Sequence, residues 1–147
     1  MRPSKIVLNE FLSAFSEIAT QRGYDFYANK ALWKWKPIYV LDVNGKILFF
    51  EIHVSTTKSG FWGIAVKWHG KMHQTIEKLQ TLADWAVLLL KTPQKGFLIP
   101  RDEFTKMVSD LRVRGKNEYW QIKMEEKDLP LEFQFYDWDT FFQILKL

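Results

Sequence analysis

The first stretch of the chain has the apolar spacing of a helix. Between Lys5 and Arg22 the apolar residues recur at intervals of three and four, so they line one face. Ser4 stands at the position of an N-terminal cap, and Gly23 follows the last residue of the pattern. The spacing predicts an amphipathic helix whose apolar face packs on a core.

A strand pair is predicted next, over residues 38–43 and 46–55. Both runs are rich in β-branched and aromatic residues, and Asn44-Gly45 separates them. Asn-Gly is favoured in two-residue hairpin turns because both residues of a type I′ turn need positive φ.

The rest of the chain alternates between strand and helix patterns. Further strands are predicted at Phe61–Trp68, Val87–Leu90, Phe97–Ile99, Tyr119–Met124 and Leu131–Tyr136. Helices are predicted at 71–85, at Arg101–Leu111 and in a last turn or two that carries Phe141, Phe142, Ile144 and Leu145. This order predicts an α/β fold with a mixed β-sheet flanked by helices on both faces, and a β-containing C-terminal extension. The 147 residues fit one domain, over 1–147.

Composition narrows the class of protein. The longest apolar candidate, Ala86 to Leu90, lies between Asp84 and Lys91 and is far shorter than the ~18 residues of a membrane helix. No export signal is visible at the start of the chain. The absence of cysteine excludes disulfides, a cysteine nucleophile and cysteine-ligated metal centres. We therefore expect a cytoplasmic protein with no membrane partner.

Charge and aromatic content allow an anionic partner. The net charge is +4, and seven tryptophans contribute to an aromatic share of 16%. Lysines that lie near aromatic residues are candidates for phosphate contacts, while exposed aromatic rings can stack on bases. The candidates for nucleic-acid binding are Lys34, Lys36, Lys58, Lys67, Lys71 and Trp62. Two alternatives are solvated lysines above core tryptophans, and tryptophans that form a homodimer interface.

Several short segments carry a resemblance to a known family. They are Pro37-Ile38, Glu51-Ile52-His53-Val54-Ser55, Ser59-Gly60-Phe61-Trp62 and Gly96-Phe97-Leu98-Ile99-Pro100. With the order of elements from about residue 5 to residue 111, they make the chain resemble the PD-(D/E)XK nucleases, which include restriction endonucleases and archaeal Holliday-junction resolvases. The resemblance implies a restriction-endonuclease-like core and nucleic acid, DNA in particular, as the partner.

The resemblance also implies positions for a divalent-metal site. In that family an aspartate near the first strand and a Glu-x-Lys on the second hold magnesium or manganese for phosphodiester hydrolysis. Glu51 matches the glutamate, and His53 stands where the family has lysine. A two-residue turn would put Ile38 opposite Glu51, in the place of the aspartate, and Asp42 opposite Ile47 near the turn.

Two other carboxylates are candidates for the missing acid. Asp42 could join Glu51 as a metal ligand only if a bulge or a longer loop changed the register. Glu10 could reach the site from the first helix, as a helix glutamate does in the resolvase branch. The structural alternatives are a turn-flanking aspartate at Asp42, a solvated helix face at Glu10, and a strand carboxylate paired with His53 or a lysine at Glu51.

Three functions remain open. The first is a nucleic-acid-binding protein of the nuclease-like fold with impaired or lost hydrolysis, for which the sequence indicates no certain cofactor. The second is a noncatalytic structural or protein-interaction subunit, including a homodimer. The third is an active magnesium- or manganese-dependent endodeoxyribonuclease that uses Glu51 with Asp42 or Glu10, and a lysine such as Lys58. His69 and His73 do not suit zinc, because Gly70 lies between them and no third ligand adjoins them.

Overall fold

The computed structural model describes residues 2–29, 38–56, 61–68, 71–72, 84–110, 113–114 and 119–147. The helices among them are α1 (Pro3–Gln21), α2 (Arg101–Asp110) and α3 (Trp138–Ile144). The strands are β1 (Asp25–Asn29), β2 (Ile38–Val43), β3 (Lys46–Val54), β4 (Phe61–Trp68), β5 (Lys71–Met72), β6 (Trp85–Thr92), β7 (Lys95–Pro100), β8 (Val113–Arg114), β9 (Tyr119–Glu125) and β10 (Gln134–Phe135). Short 3₁₀ turns occur at Glu126–Asp128 and Leu131–Phe133.

Helix α1 confirms the first predicted helix and begins earlier than expected. Pro3 occupies the first turn, where its missing N–H is no loss and its fixed φ suits the helix. Ser4 therefore lies inside the helix, and its predicted role as the cap is wrong. Phe11 and Phe15, four residues apart, are fully buried on the inner face. Beyond the helix, Gly23 has φ of +79°, a conformation that glycine adopts without steric cost.

The β2–β3 hairpin is confirmed, with the register that a two-residue turn predicts. Asn44 and Gly45 both have positive φ, 54° and 94°, as a type I′ turn requires. Asp42 lies opposite Ile47, and its Oδ1 accepts a hydrogen bond from the Gly45 N–H at 2.8 Å.

Six strands form one mixed sheet, in the order β1-β2-β3-β6-β7-β10. Strands β3 and β6 are parallel, while the other neighbours in this sheet are antiparallel. The chain must cross over between β3 and β6, because parallel neighbours cannot be joined by a tight turn. The α/β class and the mixed sheet are therefore confirmed.

A second sheet corrects the prediction of a single one. Strand β4 pairs with β9 rather than with the large sheet, and the four strands of this antiparallel sheet run in the order β5-β4-β9-β8. The paired residues of β4 and β9 lie more than 50 residues apart along the chain, so no local signal could indicate this pairing.

Three further predictions differ from the structure. Lys71–Met72 is a strand and Trp85 begins β6, so the helix predicted over 71–85 is wrong at both ends, and 73–83 lie outside the described residues. The strand predicted at Leu131–Tyr136 is a 3₁₀ turn followed by the two residues of β10, because Leu131 is exposed and not part of a buried alternation. Strand β1 was missed, since its five residues at the sheet edge give too short a pattern.

Two apolar cores lie on the two faces of the six-stranded sheet. On one face α1 and α3 bury aromatic side chains such as Phe15, Phe141 and Phe142 against β2 and β3. On the other face α2, β4 and β9 contribute Phe104, Trp62 and Met124. Helices therefore flank both faces, as predicted.

Candidate functional site

A hydrogen-bonded acid–imidazole pair lies in β3. It is on the face of the six-stranded sheet that α2, β4 and β9 cover. Glu51 and His53 are two residues apart on one strand, so their side chains point to the same side. The distance from His53 Nε2 to Glu51 Oε1 is 2.6 Å. Only 2% of the Glu51 side chain and 13% of the His53 side chain are exposed. The structural alternative, in which Glu51 pairs with His53, is therefore realised.

Apolar residues surround this pair on the neighbouring strand. In the parallel β3–β6 ladder, Val87 lies beside Glu51 and Leu89 beside His53. The second oxygen of Glu51, Oε2, is buried and has no hydrogen-bond partner among the described residues. The indole Nε1 of Trp85, on the same face of β6, is the other such atom. A buried carboxylate with one unsatisfied oxygen lowers stability unless a partner is supplied.

Ile38 lies next to Glu51 on the adjacent strand. The register of β2 and β3 pairs Tyr39 with Phe50, and one more step puts Ile38 opposite Glu51. Tyr39 belongs to the core on the other face, so Ile38 points to the same side as Glu51. Its side chain is fully buried. The position that would hold a second carboxylate in the nuclease family is thus filled by a packed apolar group.

The structure brings neither Asp42 nor Glu10 to Glu51. Asp42 lies opposite Ile47, four residues from Glu51, which is about 13 Å along a strand. Glu10 is exposed on α1, and α1 packs on the opposite face of the sheet through Phe11.

The described residues therefore do not fit a magnesium site. Magnesium requires near-octahedral coordination by oxygen atoms, and one buried oxygen of Glu51 supplies a single ligand. Across the described ranges, no group of three or more His, Asp or Glu side chains is arranged to hold a metal ion.

Of the binding candidates, Trp62 has the clearest position. It is 2% exposed, its indole N–H donates to the Leu90 carbonyl at 3.0 Å, and its ring packs on Phe97. A buried indole offers no face to a base, so Trp62 is a core residue and its predicted binding role is wrong. Lys67 and Lys71 lie in β4 and β5, while Lys34, Lys36 and Lys58 lie outside the described residues.

The sequence prediction overlooked Trp85. The helix predicted over 71–85 ends at Trp85, but this residue is the first of β6 and is 3% exposed. The run of apolar residues from 85 to 90 was the available signal, since a buried parallel strand is apolar on both faces.

Comparisons with protein-family models, with curated proteins and with solved structures find no match to this chain. The helices in the described part of the chain are too short or too polar to span a membrane. The fold thus establishes the α/β class, with a mixed six-stranded sheet.

Proposed function

We propose that the chain binds nucleic acid through a PD-(D/E)XK nuclease-like fold whose metal-dependent hydrolysis is impaired or lost. The observation that carries the proposal is the buried Ile38 beside Glu51. A cleavage site of this family needs two acidic ligands there, and the described residues supply one carboxylate, which is already bonded to His53.

The order of elements supports the fold in this proposal. Helix α1 precedes the β2–β3 hairpin, and a crossover leads to β6, which pairs with β3 in parallel. The resemblance also expects a helix directly before β6, and that helix, predicted over 71–85, is wrong at both ends. Strand β3 carries Glu51 at its centre, between two neighbouring strands, as a catalytic glutamate would be placed.

The chemistry of the Glu51–His53 pair supports the loss of hydrolysis. Lysine is a permanent cation near neutral pH, whereas a neutral imidazole is not. In this chain the imidazole occupies one oxygen of Glu51, so it competes with a metal ion for the carboxylate.

A cleavage assay tests the catalytic part of the proposal. Purified protein with magnesium or manganese should leave duplex, single-stranded and junction DNA intact. Specific cleavage that disappears in Glu51→Ala would show that the third candidate, an active nuclease, is correct.

Binding is tested by titrating labelled duplex and single-stranded DNA at several salt concentrations. The logarithm of the affinity should fall with the logarithm of the salt concentration, with a slope of about −0.9 per phosphate neutralised on duplex DNA. The test variant replaces four predicted contacts with alanine: Lys34, Lys36, Lys58 and Lys67. The control variant removes the same charge at four exposed lysines elsewhere: Lys5, Lys106, Lys127 and Lys146. Negligible binding at low salt, or equal losses in both variants, would favour the interaction-subunit alternative.

The ancestry of the site is tested by restoring the missing groups. Ile38→Asp with His53→Lys puts a second carboxylate and a cation beside Glu51, and calorimetry should then detect manganese binding that the parent lacks. Val40→Asp is the matched control, since Val40 is equally buried on the same strand face but lies opposite Phe49. A folded double variant that binds no more manganese than the Val40→Asp control would contradict the assigned positions.

A further inference from the structure

A groove crosses the end of the six-stranded sheet where β6 begins. Its volume is about 490 Å³, within the range of about 300–1,000 Å³ that is usual for sites that hold ligands. Apolar side chains form much of its wall, including Leu48, Trp85, Phe133 and Leu145. The Glu51–His53 pair lies further along β3, toward the opposite end of the two parallel strands. The groove is therefore separate from the site described above.

Carboxylates outnumber lysines around this groove. The acidic residues are Asp84, Asp102, Glu103 and Glu132, and the basic ones are Lys46 and Lys146. Asp102 accepts a hydrogen bond from Arg101 at 3.3 Å. The other three carboxylates form no ion pair with any residue in the described ranges. The groove is thus a negatively charged surface on a chain whose net charge is positive.

Trp85 connects the wall of the groove to a buried apolar core of the sheet. Its side chain is 97% buried and forms part of the groove wall. Its indole N–H has no acceptor among the described residues. Buried donors in folded proteins are nearly always hydrogen-bonded, since leaving one unpaired costs free energy. The nitrogen itself has no surface open to the groove, so a ligand there contacts the edge of the Trp85 ring and not its N–H.

We propose that the groove binds a basic segment of a partner protein. Lysine or arginine side chains of that segment pair with Asp84, Glu103 and Glu132, and their aliphatic stems cover the apolar wall. Apolar side chains of the segment pack on the edge of the Trp85 ring in the groove wall.

The chemistry of the groove disfavours other occupants. Nucleic acid is repelled by the carboxylates, and a compact metal ion lacks a cluster of ligands in the described part of the chain. A polyamine carries the charge but no apolar side chains to pack on the apolar wall.

The test measures binding of an acetylated and amidated hexapeptide of alternating lysine and leucine to the full chain. Two-dimensional NMR of the indole N–H groups follows Trp85, whose signal is assigned from the Trp85→Phe variant or by backbone-linked assignment of the parent. The peptide should bind and shift the Trp85 signal, and the same peptide with glutamate in place of lysine should not bind. Asp84→Asn with Glu132→Gln should weaken binding about tenfold.

The matched control removes two acidic charges away from the groove, through Glu17→Gln with Glu126→Gln, and should bind the peptide as the parent does. Absence of peptide binding, or equal weakening in the control, would overturn the proposal. Spermine is the competing probe, since it is a cation without apolar side chains. If spermine binds as tightly as the peptide and produces the same shift of Trp85, the groove is a general cation site and the protein-partner assignment is wrong.

Discussion

Breaking the buried pair by His53→Leu should destabilise the fold strongly. Glu51 is 98% buried, and its bond to His53 is the one hydrogen bond its carboxylate makes within the described residues. Removing the hydrogen-bond partner of a buried carboxylate costs about 3–5 kcal/mol, because its charge stays desolvated and unpaired. A domain of this size has a free energy of unfolding of roughly 5–15 kcal/mol. His53→Leu should therefore remove a large fraction of the stability.

Glu51→Leu and the double variant Glu51→Leu/His53→Leu complete a thermodynamic cycle. Glu51→Leu removes the buried carboxylate and should cost less than His53→Leu, about 1–3 kcal/mol for the unpaired imidazole. The double variant replaces the pair by apolar groups in an apolar neighbourhood, next to Val87 and Leu89. It should be close to the parent in stability or exceed it by about 1–4 kcal/mol.

Urea denaturation measures these differences through the transition midpoint at a constant m-value. Lys127→Ala is a surface control, since Lys127 makes an exposed ion pair with Glu125 at 3.2 Å, and it should leave the midpoint unchanged. Two results would refute the reasoning that Glu51 is a desolvated charge that needs its partner. One is a loss of unfolding free energy below about 1 kcal/mol for His53→Leu, and the other is a double variant that is less stable than His53→Leu.

Three other variants test the packing and the titration of the core. Trp62→Phe removes the indole N–H that donates to the Leu90 carbonyl, while that carbonyl keeps its backbone donor. The free energy of unfolding should fall by about 1–2 kcal/mol, which lowers the melting temperature by roughly 2–8 °C. Gly96→Ala places a Cβ against the backbone of β6 and should lower the free energy of unfolding, measured in urea, by about 3 kcal/mol. Gly45→Ala, in an open turn with positive φ, is the milder comparison and should cost about 1 kcal/mol. Burial raises the pKa of the Tyr39 hydroxyl above its ordinary value of 10.0, so the unfolded state loses this proton first and stability is lost as the pH rises above 10.0. Tyr39→Phe should reduce that alkaline loss, and an unchanged pH dependence of the urea midpoint would contradict the assignment.

Local patterns of sequence were sufficient for part of the fold. The spacing of apolar residues located α1, and Asn44-Gly45 fixed the turn, so the register of β2 and β3 followed by counting. That register also places Ile38 beside Glu51. The strand period of two likewise put Glu51 and His53 on one side.

Pairing between distant segments could not be predicted in the same way. A sequence pattern shows that β4 and β9 are strands, but their pairing depends on contacts across about 60 residues. The same limit explains Trp62, because an aromatic residue in a strand fits a core and a binding surface equally well. The structure places Trp62 in the core, because β4 lies over the six-stranded sheet and the Trp62 indole N–H is hydrogen-bonded to the Leu90 carbonyl.

The acidic groove lies at one end of the parallel β3–β6 ladder and His53 lies near the other end, so the two proposals can be tested independently. Trp85, in the acidic groove, and Leu89, beside His53, are four residues apart along β6, which is about 13 Å. The Debye length at physiological ionic strength is about 8 Å, so exposed charges at one end are largely screened from the other. Asp84→Asn with Glu132→Gln should therefore weaken peptide binding and leave nucleic-acid affinity unchanged at physiological salt. If the same variant instead raised the affinity for DNA severalfold, the groove would face the nucleic acid, and its carboxylates would act by repelling phosphate rather than by binding a basic partner.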